Sequence, residues 1–122
     1  MLYEIQNTKQ IEGEGIRRWF TDQDFDLIIW YTDDKMLDGF QLCYDKQSKE
    51  RCITWRKSGS YVHTGVDDGE QGHQTNKMSP ILVADGLFDK WSVSKEFKLV
   101  SKKMDPVVAN FVHRKLVEFD GT

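Results

Sequence analysis

The chain of 122 residues lacks several features that would mark a special class of protein. Only two of its residues are prolines, 39% are hydrophobic and 30% are charged. This composition argues against a disordered chain. Its longest apolar run covers residues 27–31 and is far too short to cross a bilayer. The sequence opens without a basic segment and an apolar signal core, so we expect a cytoplasmic protein with no membrane partner.

Cysteine and excess charge are also scarce. The two cysteines, Cys43 and Cys52, are expected to be reduced thiols in a non-secreted chain. The alternative is a bonded pair, because directly opposed strand cysteines can approach closely enough. The net charge of −3, with lysines and arginines spread throughout, argues against a nucleic-acid partner held by long-range charge and leaves only a local basic patch open.

What the sequence does contain is an alternation of apolar runs and short polar turns from Gly15 to Val66. This pattern predicts an antiparallel β-meander, because the loops carry Asp, Ser or Gly, the residues that tight turns favour. The predicted strands are Ile16–Phe20, Phe25–Tyr31, Leu37–Tyr44, Glu50–Arg56 and Tyr61–Val66, with further strands at Pro80–Ala84 and Glu96–Ser101.

A helix is predicted near the end of the chain. Asp105 followed by Pro106 is a typical N-cap and first helical position, and Gly121 is placed to end the helix. A single apolar stripe at helical spacing is formed by Val108, Phe111, Val112, Lys115, Leu116 and Phe119. Residues 1–122 are therefore predicted to form one α+β domain, in which about six to seven antiparallel strands make an open sheet or small barrel with one C-terminal α-helix.

Centring each hairpin on its loop assigns every strand residue to one of two sheet faces. The opposed pairs are then Phe20–Phe25, Leu27–Leu42, Ile29–Phe40, Trp30–Gly39, Leu42–Ile53, Phe40–Trp55, Cys43–Cys52 and Trp55–Val62. Face A, the predicted core face, collects Ile16, Phe20, Phe25, Leu27, Ile29, Phe40, Leu42, Tyr44, Ile53, Trp55, Val62 and Val66. Face B, the opposite face, collects Arg17, Trp19, Asp26, Ile28, Trp30, Gly39, Gln41, Cys43, Cys52, Thr54, Arg56, Tyr61, His63 and Gly65.

Face B is the candidate functional surface, because it mixes aromatic side chains with a few polar groups, as ligand pockets and protein-binding patches do. The candidate residues for binding a small ligand or a protein partner are Arg17, Trp19, Asp26, Trp30, Gln41, Thr54, Tyr61 and His63. The alternative is that the loop after Val66 and residues 80–84 cover face B as a second core layer. Arg17 is expected either to bind a carboxylate or phosphate of a ligand through its guanidinium or to form a cross-strand ion pair with Asp26 beside Trp19.

Possible metal ligands cluster at the end of the fifth predicted strand. Nitrogen and oxygen ligands occur within eleven residues at His63, Asp67, Asp68, Glu70 and His73. Imidazole and carboxylate groups suit zinc, iron or manganese. Their spacing matches no metal motif, and a solvated acidic loop is the alternative.

Motifs for catalysis are missing from the sequence. There is no Gly-x-Ser-x-Gly elbow, phosphate loop or dinucleotide fingerprint, so no cofactor is expected. The favoured hypothesis is a non-enzymatic binding module that uses face B. The alternatives are a small metalloprotein or enzyme that uses His63 and the loop 67–73, and a structural homodimer formed through face B. The runs 17–20 and 39–45 look like signatures of a bacterial family, and neither run indicates an activity.

Overall fold

In a computed structural model of the chain, the described residues are 1–6, 10, 15–59, 61–67, 81–84 and 88–119. They form an antiparallel sheet of seven strands followed by two helices. The elements in chain order are β1 (Tyr3–Glu4), β2 (Ile16–Thr21), β3 (Asp26–Tyr31), β4 (Leu37–Tyr44), β5 (Arg51–Arg56), β6 (Tyr61–Asp67), β7 (Ile81–Ala84), α1 (Lys90–Val100) and α2 (Pro106–Glu118). Each strand pairs with its neighbours in sequence, and the sheet is open, so the predicted α+β meander is confirmed.

The hairpins form where the sequence supplies turn chemistry. In the β2–β3 turn, the Asp22 carboxylate accepts hydrogen bonds from the backbone N–H groups of Asp24 and Phe25 at 2.8 and 2.7 Å. In the β3–β4 turn, Thr32 Oγ1 accepts from the N–H of Met36 at 3.2 Å, and Lys35 adopts φ 66°. Backbone N–H groups within a turn have no partner on a neighbouring strand, and these side-chain hydrogen bonds satisfy them instead.

The predicted register is confirmed across the central strands, including the pairs Leu27–Leu42, Ile29–Phe40 and Trp30–Gly39. In the first hairpin, Phe20 lies opposite Leu27 rather than Phe25, so the predicted pairing is wrong by two residues. Because side chains alternate with a period of two, this slip leaves every β2 and β3 side chain on its predicted face.

The register of the last predicted hairpin is wrong by one residue. Trp55 lies opposite Tyr61 rather than Val62, because five residues separate the paired positions instead of six. A slip of one residue reverses both faces of a strand. Tyr61 and His63 therefore lie on face A, whereas Val62 and Thr64 lie on face B, and the 53% exposure of Val62 agrees with this placement.

The described residues include two C-terminal helices, so the prediction of a single helix was incomplete. The strand predicted at Glu96–Ser101 is wrong, because these residues form the second half of α1 and its C-cap. The Asp89 carboxylate caps α1 by accepting from the N–H of Ser92 at 3.2 Å. Val93, Phe97 and Val100 recur at helical spacing and pack on the core. No helix among the described residues is long and apolar enough to span a membrane.

The second helix follows the prediction closely. Asp105 is its N-cap and accepts from the N–H of Val107 at 3.0 Å, and Pro106 is its first residue. The helix ends at Glu118 with Phe119 as its C-cap, and Gly121, the predicted stop, lies outside the described residues. The apolar stripe packs on face A, where Val112 and Leu116 are fully buried.

The core lies between face A and the two helices. Aromatic contacts join the layers: the rings of Phe25 and Phe97 are 6.5 Å apart, and those of Phe40 and Phe111 are 6.3 Å apart. Fully buried side chains occur in every layer, namely Leu27, Ile29, Phe40, Leu42, Ile53, Phe97, Val112 and Leu116. Burial of this apolar area is the main favourable term that holds the helices to the sheet.

Arg18 is a charged residue that interrupts face A at the edge of the core. Arg18 donates two hydrogen bonds to the Glu4 carboxylate at 2.9 and 2.7 Å and one to Asp105 at 3.3 Å. The bond with Glu4 raises the pKa of the Arg18 guanidinium, so the charge persists at any relevant pH. This network ties β1, which the sequence did not reveal, to β2 and to the start of α2.

Cys43 and Cys52 lie opposite each other on β4 and β5 and form a disulfide, so the expectation of reduced thiols was wrong. Disulfides persist mainly in oxidising compartments. The cytoplasmic location expected from the sequence therefore stays a prediction that the redox state of this pair can test.

Substitution of Phe97 tests the assignment of residues 96–100 to a helix. Phe97→Ala should lower the free energy of unfolding by about 3–5 kcal/mol, because the ring is fully buried. Leu99→Ala should change it by less than about 0.5 kcal/mol, because Leu99 is 52% exposed on the other side of α1. Denaturant unfolding of both variants measures the difference. Similar losses for the two would indicate a strand, in which residues 97 and 99 share one face.

Reduction of the disulfide tests its contribution to stability. The bond closes a loop with a sequence separation of nine, which predicts a loss of about 2–3 kcal/mol of unfolding free energy on reduction. Denaturant unfolding with and without dithiothreitol gives the value. A Cys43→Ser, Cys52→Ser variant should have the stability of the reduced protein and should not respond to reductant. Two alkylatable thiols in the untreated protein would contradict the bond.

Candidate functional site

The register arranges the side chains of face B in three parallel rows that run across the sheet. Row 1 contains Arg17, Trp30, Gly39 and Arg56; row 2 contains Trp19, Ile28, Gln41, Thr54 and Val62; row 3 contains Thr21, Asp26, Cys43, Cys52 and Thr64. Neighbours within a row are about 5 Å apart and neighbouring rows about 7 Å apart. Most of the binding residues predicted from the sequence are therefore close together, in rows 1 and 2.

Row 3 is structural. The disulfide and Thr64 are buried. Asp26 accepts hydrogen bonds from Thr21 Oγ1 at 2.5 Å and from Lys46 Nζ at 2.9 Å, so its charge is neutralised within the protein. Asp26 also lies two rows, about 13 Å, from Arg17. The cross-strand ion pair of Arg17 with Asp26 that the sequence suggested is therefore wrong.

Row 2 has apolar ends and a polar centre. Trp19 is 38% exposed at one end and Val62 is 53% exposed at the other. Between them, Thr54 Oγ1 donates to Gln41 Oε1 at 3.3 Å, and the Gln41 amide also approaches Cys43 Sγ at 3.6 Å. These contacts hold the amide of Gln41 in one orientation on the sheet surface.

Row 1 contains a stacked pair of an aromatic ring and a guanidinium. The Arg56 guanidinium carbon lies 3.7 Å from the centroid of the Trp30 ring, which is a close cation–π contact. Gly39 lies on the strand between them and leaves room for the stack. A Cβ atom on Gly39 would come within 2.4 Å of the Trp55 carbonyl oxygen and 3.0 Å of Arg56 Cδ.

Sequence reasoning placed Arg56 on face B and did not select it as a binding residue. The sequence did contain a signal for this contact. Trp30 and Arg56 lie on either side of Gly39 in row 1, and a glycine has no side chain to keep its two neighbours apart. The guanidinium also approaches the Asp38 carboxylate at 3.6 Å. Within the described part of the chain, Asp38 is the one acidic partner of Arg56, and the remaining guanidinium N–H groups can serve a ligand.

A cleft of about 420 Å³ opens beside this stack. It is lined by Gly15, Trp30, Thr32, Asp33, Asp38 and Arg56, among others. Gly15 adopts φ 75°, and a Cβ there would come within 2.3 Å of the Tyr31 carbonyl oxygen, so only glycine fits this wall. The cleft offers a guanidinium and carboxylates, the groups that bind charged side chains of a partner.

Tyr61 and His63 do not belong to this surface, contrary to the sequence prediction. The Tyr61 hydroxyl donates to the Lys115 carbonyl oxygen of α2 at 2.6 Å. The His63 ring is nearly parallel to the Tyr44 ring, at 8°, and its Nε2 lies 2.5 Å from the Tyr44 hydroxyl. His63 also packs against Phe88 at 5.2 Å. Both residues contribute to the core side of the sheet, because the one-residue slip at β6 reverses its faces.

The metal site predicted at the end of this strand stays a prediction. Asp68, Glu70 and His73 lie outside the described residues, and Asp67 is described only as the last residue of β6. Among the residues that are described, no three His, Cys, Asp or Glu side chains form a group that could hold a metal ion. The close contact of His63 Nε2 with Tyr44 already engages one of the two ring nitrogens.

Residues 81–84, which the sequence offered as a cover for face B, form β7 in the same sheet instead. The loop from Asp68 to Pro80 lies outside the described residues. Within the described structure both helices pack on face A, and rows 1 and 2 are half-buried or exposed except at Gly39.

Substitution of Gly39 tests the geometry of row 1. Gly39→Ala should lower the free energy of unfolding by about 1–3 kcal/mol, because the added methyl group meets backbone atoms that cannot easily move. Gly59→Ala is the matched control, since a Cβ on Gly59 would meet nothing within 4 Å. Thermal and denaturant unfolding compare the two. Equal stabilities would contradict the close approach of β4 and β5 at this row.

Comparison with known proteins adds no relative to this picture. No family model matches the chain, and no curated protein or solved structure matches it either. The function has to be inferred from the surface of the chain itself.

Proposed function

We propose that the protein is a non-enzymatic binding module that holds a partner protein on rows 1 and 2 of face B. The observation that carries the proposal is the stack of Arg56 on Trp30, with Trp19 partly exposed in the neighbouring row. Tryptophan and arginine are enriched among the residues that contribute most of the binding energy in protein interfaces. Three such side chains on one face, in two adjacent rows, are unusual for a surface that only meets water.

The shape of the surface favours a protein over a small ligand. Small-molecule sites are concave and enclose most of the ligand. Rows 1 and 2 extend over the breadth of four or five strands, and the cleft beside Arg56 is open to solvent. A flat surface of this kind gives a partner protein both apolar contact, at Trp19 and Val62, and hydrogen bonds, at Gln41 and Thr54.

The charge of row 1 indicates what the partner presents. The Arg56 guanidinium already lies against the Trp30 ring, so less side-chain entropy remains to be lost on binding. Its ion pair with Asp38 is long, at 3.6 Å, and the Arg56 side chain is 45% exposed. A carboxylate of the partner can therefore form a shorter, charge-assisted pair with this guanidinium. The proposed partner has an acidic side chain beside an apolar one, to match rows 1 and 2.

Site-specific photo-cross-linking in the producing cell tests this proposal. A photoreactive residue in place of Thr54, at the centre of row 2, should give one discrete adduct with another protein. The same residue in place of Asn110, on the exposed side of α2, is the matched control and should give none. Trp30→Ala and Arg56→Ala should each weaken binding of the identified partner at least about tenfold, because they remove the proposed anchors.

The outcomes separate the proposal from its alternative. An adduct of two copies of this chain, together with concentration-dependent sedimentation, would favour the homodimer instead. Trp30→Ala and Arg56→Ala variants that fold and bind the identified partner with unchanged affinity would contradict the use of face B. Retained thermal stability of both variants shows that lost binding is not lost folding.

A further inference from the structure

Helix α1 has an outer side that carries apolar and basic residues together. Its inner side packs on the core through Val93 and Phe97. Directly opposite, Trp91, Lys95 and Leu99 follow one another at a spacing of four residues and so form one line along the helix. Trp91 is 65% exposed and Leu99 is 52% exposed, so two large apolar side chains point away from the protein.

Lysines flank this line. The segment 90–103 contains five lysines against one glutamate, a net charge of +4, whereas the remainder of the chain carries −7 of the total of −3. The exposed lysines are Lys95, Lys98, Lys102 and Lys103. Among the described residues, no salt bridge engages any of these four.

The acidic residue of the segment lies to one side of this line. Glu96 borders a polar pocket that it shares with Asp24 and Asp89, on the flank of α1 that faces the sheet end. On the other flank, Lys98 approaches His113 of α2. The pKa of His113 is lowered first by burial and second by the positive charge of Lys98. The outer side of α1 therefore has an unbalanced positive charge.

We propose that the outer side of α1 docks on the surface of an anionic phospholipid bilayer. Lysines near an anionic leaflet are attracted to it, and each raises partitioning about fivefold. Four exposed lysines then raise it about 600-fold over a neutral bilayer, if all four reach the surface. Trp91 and Leu99 can enter the headgroup region, where tryptophan is favoured. The contact is peripheral and needs no spanning segment, and it involves none of the residues of face B.

The composition of this surface favours a bilayer over the other anionic partners. Protein interfaces are enriched in arginine and depleted in lysine, yet all the cations of the segment 90–103 are lysines. The bases of a single-stranded nucleic acid could stack on Trp91, but the exposed aliphatic side chain of Leu99 offers them neither a stacking surface nor a charge. A bilayer surface accommodates the aromatic ring, the aliphatic side chain and the lysines at once.

Vesicle co-sedimentation with the full-length protein tests the proposal. The probes are phosphatidylcholine vesicles with and without phosphatidylserine. Binding is expected to the phosphatidylserine vesicles and to weaken as salt screens the attraction. The Lys95→Gln, Lys98→Gln double variant should lower the partition coefficient about 25-fold, and Trp91→Ala should lower it further.

A matched variant controls for net charge. Lys35→Gln, Lys57→Gln removes the same charge from two exposed lysines in hairpin turns and should bind like the unaltered protein. Equal binding to both kinds of vesicle would overturn the proposal, and so would equal losses of binding in the two double variants. It would also be overturned if a single-stranded oligonucleotide displaced the protein from the vesicles when the oligonucleotide carries less total charge than the vesicle lipid. The last result would assign the surface to nucleic acid.

Discussion

Burial of face A beneath α1 and α2 is the interaction on which the rest of the structure depends. The sheet is a simple meander, and a sheet of this kind is stable only when one face is covered by apolar contacts. Leu27, Ile29 and Phe40 belong to one continuous core together with side chains of both helices. Once these residues face the helices, the period of two in each strand sends the intervening residues to face B. The three rows of the candidate site are a direct consequence of that burial.

The same constraint explains how β6 came to contribute to the core rather than to the candidate site. Five residues separate Trp55 from Tyr61, so the strand returns with Tyr61 directed at the helices. The phenol then reaches the Lys115 carbonyl of α2, and the ring meets Phe119 at 5.2 Å. His63 follows two residues later into the contact with Tyr44 and Phe88. Side chains that resemble a polar site in the sequence thus become part of an aromatic layer below the helices.

The two proposed binding surfaces lie on opposite sides of the sheet–helix sandwich and differ in chemistry. Face B uses Trp30 and Arg56 in a preorganised stack, which suits directional contact with a partner protein. The outer side of α1 uses lysines, which act as mobile point charges and suit a diffuse anionic surface. Since α1 covers face A, its outer side points away from face B. A partner held on face B would therefore be presented away from a bilayer that α1 contacts.

The sequence by itself determined the central strands, their alternation, and the helix that begins at Asp105 and Pro106, because turn residues, helix caps and periodic burial are local signals. It also indicated that Trp30 lies opposite Gly39, since hairpin loops set that register locally. Only the tertiary structure decided the faces of β6, the existence of α1 and the stack of Arg56 on Trp30. An odd loop length reverses the faces of a strand. Phe97 and Leu99 alternate as they would in a strand, and only the burial of Phe97 with Val93, together with the exposure of Leu99, shows that they lie on a helix. Arg56 needs Gly39 on the neighbouring strand before it can meet the Trp30 ring. The faces of β6, the existence of α1 and the stack of Arg56 on Trp30 all depend on contacts between different segments of the chain. No local sequence pattern determines which of the possible contacts forms.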